Sequence, residues 1–152
     1  MPAVRHALTL YPHSTYFFHL SPHALIMNPN LSLKSHVLDH KRLESLMLKD
    51  IPVVPPDSVI KTFSHLKGGD VDFILAQDKE DLTSASFIIK QGDWARFFLD
   101  VWFDPLYRSY SFAKAETHAL VWPLFSFLFF SPLFFSVACL LNCDCHKKEN
   151  GC

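Results

Sequence analysis

Glycine is scarce, with four residues in 152, and neither a Gly/Ser-rich stretch nor an internal repeat divides the chain. A flexible linker between domains is therefore excluded before Leu120, and so is a repeat array. Charge of one sign is also missing: 14 Lys and Arg face 15 Asp and Glu, mixed along the sequence, for a net charge of -1. Such a chain has no long-range field to attract a polyanion. Without a basic run or an aromatic-basic platform, nucleic acid is excluded as a partner. Cysteine is absent until Cys139, so Cys139, Cys143, Cys145 and Cys152 cannot staple the body of the domain. Cys143-Asp144-Cys145-His146 places thiolate and imidazole ligands together but lacks the second ligand pair of a zinc site. The nine histidines are scattered, with no finger-like or H-E-x-x-H spacing.

What is present is one domain's worth of chain, enough to bury a core but short for an enzyme that must hold both a nucleotide and an acceptor. Val4, Ala7, Leu8 and Tyr11 repeat at helical spacing, and Pro12 closes that element. Residues 14–20 read as a strand, and residues 24–27 as a second strand piece beyond a kink at Pro22. Ser32 is positioned to cap a helix running to about Leu48, with a polar middle around His40. Pro52, Pro55 and Pro56 fix an extended loop. Residues 73–76 and 86–89 read as buried strands separated by a polar stretch. Asp93 is a candidate N-cap for a helix that Asp104-Pro105 stops, with Trp94, Phe97, Phe98, Val101 and Trp102 on one face and Arg96 and Asp100 on the other. This order implies an α/β fold, a mixed sheet flanked by helices, with ligand groups gathered at strand ends.

Several uncommon words carry a resemblance: A-L-I-M-N-P at residues 24–29, V-V-P-P-D-S-V-I-K-T-F at 53–63 and W-F-D-P-L-Y-R-S-Y at 102–110. Together with the segments between them they resemble the fungal branch of glycosyltransferase family 34, over residues 4–120. The resemblance implies a partial GT-A-like fold and a hexosyltransferase activity. The donor would be a nucleotide sugar, GDP-mannose or UDP-galactose, and the acceptor a mannan or N-glycan. It also implies Mn²⁺ as cofactor and residence in the Golgi membrane.

In that family an Asp-x-Asp precedes A-L-I-M-N-P, where its carboxylates hold a hard cation against the donor diphosphate. This chain has Ser21-Pro22-His23 there, so both carboxylates are lost, and His23 is a candidate metal ligand that supplies no charge. By the same resemblance Gln77 and Asp78 lie near the sugar, with Asp78 orienting donor hydroxyls or assisting departure of the nucleotide. The pocket-shaping Asn-x-Gly-Ser-Phe turn appears as Thr83-Ser84-Ala85-Ser86-Phe87, which retains Ser86 but loses the amide and the glycine. Glu116 and His118 match a motif that faces the donor or the acceptor. Catalytic roles thus fall on Asp78 and Glu116, and donor contacts on Ser21, His23, Gln77, Ser86 and His118. Trp94, Trp102 and Tyr107 are candidates for stacking on sugar rings, with core packing the stronger reading for the tryptophans.

The resemblance stops at Leu120. From Ala119 to Cys143 the 25 residues carry no charge and are rich in phenylalanine, a length that suits a membrane span of about 20 residues. The chain thus divides into a glycosyltransferase part (1–120), a hydrophobic segment (121–143) that is a transmembrane stretch or a mistranslated tail, and a Cys/Lys-containing tail (144–152). No signal anchor is apparent at the N-terminus, and truncation or a misread gene model is the expected origin of both ends. The alternative function is a non-catalytic, membrane-associated subunit that docks with homologous subunits of a Golgi complex. Asn30-Leu31-Ser32 is an N-glycosylation sequon for a chain in a lumen.

Overall fold

A computed structural model describes residues 2–26, 28–52, 62, 64–77, 82–104 and 137–142. Helix α1 (Pro2–Leu10) is followed by strand β1 (Tyr16–Leu20), short helices α2 (Leu33–His36) and α3 (His40–Leu46), and a 3-10 turn at Gly68–Asp70. Strands β2 (Phe73–Gln77) and β3 (Leu82–Lys90), helix α4 (Asp93–Trp102) and strand β4 (Val137–Asn142) complete the described elements. The strands form one mixed sheet in the order β1-β3-β2-β4. β3 runs antiparallel to both β1 and β2, and β4 pairs parallel to β2.

Period-2 alternation sends neighbouring strand residues to opposite faces, and each face has its own core. Phe73 and Leu75 of β2 join Phe87 and Ile89 of β3 beneath Leu8 of α1 and Ala95, Phe98, Leu99 and Trp102 of α4. Ile74 and Ile88, on the other face, pack with Leu43 and Met47 of the α3 region and with Leu66 and Val71. A sheet covered on both sides needs near-continuous apolar strands, which is why F-I-L-A and S-F-I-I lack a polar alternation. Phe73 is fully buried at the centre, with ring centroids 4.9 Å from Phe98, 5.5 Å from Phe87 and 6.2 Å from Trp102. Arg5 forks onto Asp100, its Nε donating at 2.8 Å and its Nη2 at 3.3 Å, which clasps α1 to α4. That hydrogen bond raises the Arg5 pKa above its ordinary value, against a smaller opposing effect of burial. Arg5 stays charged throughout the physiological range.

Four local expectations are corrected. Residues 24–26 form no strand, because the chain turns at Ser21–Ala24 and leaves Leu25 and Ile26 exposed. The helix expected from Ser32 to Leu48 breaks at Val37–Asp39, where the Asp39 side chain accepts from the Arg42 amide and caps a new helix. In α4 the N-cap is Gly92, and Asp93 occupies the first turn. The buried stripe of α4 is Ala95, Phe98, Leu99 and Trp102, whereas Phe97 is 53% exposed. Spacing weighted toward large side chains overlooked Ala95, which is fully buried in the same cluster as the sheet residues. Arg96 and Asp100 each pair elsewhere, with Asp93 and Arg5.

β3 begins at Leu82, so part of the polar stretch between the two expected strands belongs to the ladder. Residues 137–142 of the hydrophobic segment form strand β4, and residues 105–136 lie outside the described set. Among the described residues no helix is long and apolar enough to cross a membrane.

Candidate functional site

Because β1 and β2 are both antiparallel to β3, their C-terminal ends emerge at the same edge of the sheet, where β4 also ends. Ser21 follows β1, Gln77 closes β2 and Asn142 closes β4. With about 4.8 Å between neighbouring strands, the ends of β1 and β2 lie about 10 Å apart with the start of β3 between them. The topology thus joins residues separated by more than fifty positions in the chain.

Ser21-Pro22-His23-Ala24 is a turn closed by the Ala24 amide donating to the Ser21 carbonyl at 2.9 Å. Proline at the second position presets the turn dihedral. The Ser21 hydroxyl accepts from the His23 amide at 3.4 Å, and the Ser21 amide donates to the Ala85 carbonyl at 2.7 Å. Ser21 is half-buried and His23 exposed.

The register explains why Ala85 is available. Leu75 pairs with Phe87, yet its neighbour Ala76 pairs with Thr83, so Ser84, Ala85 and Ser86 bulge out of the β2 ladder. On the other side Leu20 pairs with Ser86. The bulge therefore serves β1, with Ser21 extending the pairing one step into it. The segment resembling a pocket-shaping turn is accordingly an irregular strand entry, and its lost glycine is replaced by an alanine whose carbonyl is used. Ser86 is half-buried and, by alternation with Phe87 and Ile88, lies on the α3 side of the sheet.

Of the sequence-predicted site residues, Ser21, His23, Ser86 and the backbone of Gln77 share this edge. Asp78, Glu116, His118 and Tyr107 lie outside the described residues. Trp102 is 1% exposed and Trp94 stacks on Phe98 at 5.0 Å, so both tryptophans pack in or against the core. Two features escaped sequence reading. His19 lies with its ring 4.7 Å from that of Phe87, and Asn142 comes beside Gln77 through β4. The alternation within residues 16–20 signals the first, whereas the parallel pairing of β4 leaves no local signature.

The described residues do not fit the divalent cation that the resemblance implies. A hard cation takes several oxygen ligands, at least some of them charged. The turn has no carboxylate, and the Ser21 hydroxyl is a neutral oxygen that brings no charge to a cation. Among the described residues no group of three or more His, Cys, Asp or Glu side chains converges. No chemical step is therefore assigned to a metal at this turn.

Residues 1–126 match the model of the galactosyl transferase GMA12/MNN10 family. An uncharacterized alpha-1,2-galactosyltransferase of Schizosaccharomyces pombe is 36% identical over 120 residues, covering 79% of this chain and 37% of the relative. An alpha-1,2-galactosyltransferase of the same yeast is 29% identical over 78% of this chain and 33% of its own length. A probable alpha-1,6-mannosyltransferase of Saccharomyces cerevisiae is 30% identical over 78% of this chain and 30% of its own. The chain spans between 30% and 37% of these relatives. No solved structure matches it. The extent of the family match, together with the agreement among its relatives, makes this chain a member of the galactosyl transferase GMA12/MNN10 family of glycosyltransferases.

Proposed function

We propose that this chain supplies the donor-binding part of a GT-A-like hexosyltransferase that passes galactose or mannose from UDP-galactose or GDP-mannose to a mannan or N-glycan acceptor at the Golgi membrane. The observation that carries this reading is the convergence of Ser21, Ser86 and Gln77 on one sheet edge in a chain of a galactosyl transferase family. Ligands of open α/β sheets gather beyond the carboxyl ends of strands, where loops can present polar groups to them. Gln77 leads directly into Asp78, which would orient donor hydroxyls or assist departure of the nucleotide. Glu116 and His118 would complete the site on the donor or acceptor side. The names of the relatives, galactosyltransferases and mannosyltransferases, support a hexose as the transferred group.

The carboxylate-free turn at Ser21–His23 favours a second reading. In it the chain is a non-catalytic, membrane-associated subunit that retains the sheet and docks with active homologues in a Golgi complex.

Calorimetric titration of the full chain with UDP-galactose and GDP-mannose, with and without Mn²⁺, separates the two. A donor-binding site gives saturable binding that Mn²⁺ leaves unchanged, and the double variant Ser21→Asp, His23→Asp gains Mn²⁺-dependent affinity. If neither protein binds either nucleotide sugar under any condition, the transferase reading fails and the non-catalytic one stands.

A further inference from the structure

The loop between β1 and α2 carries Asn30-Leu31-Ser32, the only Asn-x-Ser or Asn-x-Thr triplet in the chain with a residue other than proline at its centre. Its geometry is that of a presented acceptor. Asn28, Pro29, Asn30 and Leu31 form a turn in which the Leu31 amide donates to the Asn28 carbonyl at 3.4 Å. The Asn30 amide donates to the Asn28 side-chain oxygen at 3.1 Å, so the Asn28 side chain holds the backbone and that of Asn30 is left to project. Asn30, Leu31 and Ser32 are all exposed. Ser32 stands at the N-cap position of α2 with extended backbone (φ -70°, ψ 128°), yet its hydroxyl makes no capping hydrogen bond. A serine in that place normally turns its oxygen onto the helix amides. Here the hydroxyl remains available two residues from the acceptor amide.

We infer that Asn30 is an N-glycosylation acceptor. The Asn30 side-chain nitrogen forms a bond to the anomeric carbon of a lipid-diphosphate-linked oligosaccharide. The bond from that carbon to the diphosphate oxygen breaks, the diphosphate lipid leaves with the electron pair, and one amide proton passes to solvent. The same loop exposes Leu25 (84%), Ile26 (62%) and Leu31 (52%), all within five residues of Asn30 along the chain. A bulky hydrophilic glycan there would screen apolar surface that the fold leaves uncovered.

The inference goes beyond donor binding and requires only lumenal entry, which the experiment imposes. The full chain is translated with a cleavable signal sequence into microsomes and digested with an endoglycosidase. One glycan per chain is expected, seen as a single enzyme-sensitive mobility step, lost in Asn30→Gln and in Ser32→Ala and kept in Ser32→Thr. Pro12→Asn creates a control sequon with His13 and Ser14 in the turn after α1, where Pro12 and His13 are exposed and Ser14 is half-buried. A protease-protected chain that stays unglycosylated, while the Pro12→Asn variant gains one glycan, overturns the inference.

Discussion

The main-chain amide of Ser21 donates to the Ala85 carbonyl at 2.7 Å, fastening the turn after β1 to the bulge at the start of β3. A backbone tie of this kind survives side-chain change and fails only when the donor itself is removed. Ser21→Pro deletes the N–H and leaves the carbonyl unpaired, a cost of about 1–3 kcal/mol. Ser21→Ala keeps the tie and loses only the 3.4 Å contact to the His23 amide, so its effect stays below about 0.5 kcal/mol. Denaturant midpoints of the two variants, compared at constant slope, check the order. Equal midpoints would mean that the amide tie to Ala85 contributes nothing to stability.

Phe97 and Phe98 are adjacent in sequence and opposite in fate. Phe98 is fully buried between Phe73 at 4.9 Å and Trp102 at 5.6 Å, whereas Phe97 is 53% exposed. Truncating the buried ring leaves a cavity in an aromatic cluster, so Phe98→Ala destabilises by about 3–5 kcal/mol. Phe97→Ala removes a half-exposed ring and costs about 1 kcal/mol or less. Thermal unfolding of both variants measures the difference. A larger loss at Phe97 would restore the helix face read from spacing alone.

That contrast marks how far the chain discloses its own fold. Short-range periodicity is strong enough to identify α1, β1, β2, β3 and α4, because each buries an apolar face whose spacing is fixed by its geometry. The face that α4 turns to the sheet includes Ala95 and leaves Phe97 out, a fact of tertiary packing that hydrophobic spacing alone does not mark. The candidate site divides in the same way. Ser21 and Ser86 stand out through motif resemblance, but their adjacency comes from the register of β1 on β3, set by a bulge that nothing local announces. Asn142 is further from view, since a parallel neighbour more than sixty residues away leaves no pattern in either strand.

Gly68 is buried in the 3-10 turn where that turn meets the start of α3, and a Cβ added there would overlap the His40 carbonyl. Backbone on both sides of the contact leaves little room for adjustment. Gly68→Ala therefore forces the turn away from α3 and costs about 1–3 kcal/mol. At Gly69 an added Cβ meets only the His40 ring, at 3.4 Å, and a side chain can move aside. Gly69→Ala is correspondingly the milder of the two. Chemical denaturation of both variants tests this, and equal stabilities would place the close approach elsewhere.

Asp39 separates two accounts of the region from residue 32 to residue 48 by the sign of a single substitution. Its carboxylate accepts from the Arg42 amide at 3.2 Å, satisfying one of the unpaired donors that open α3, and its backbone is extended at φ -69° and ψ 122°. Removing that cap with Asp39→Ala destabilises by about 1 kcal/mol. Were the segment one continuous helix, Asp39 would sit in its interior, where aspartate is a poor helix former and alanine the best. The same substitution would then stabilise by about 0.5 kcal/mol. Asp39→Asn retains a capping oxygen, so it should recover most of the loss and separate a cap from a charge effect at the helix start. A gain in stability for the alanine variant, read from denaturant midpoints, would remove the break between α2 and α3.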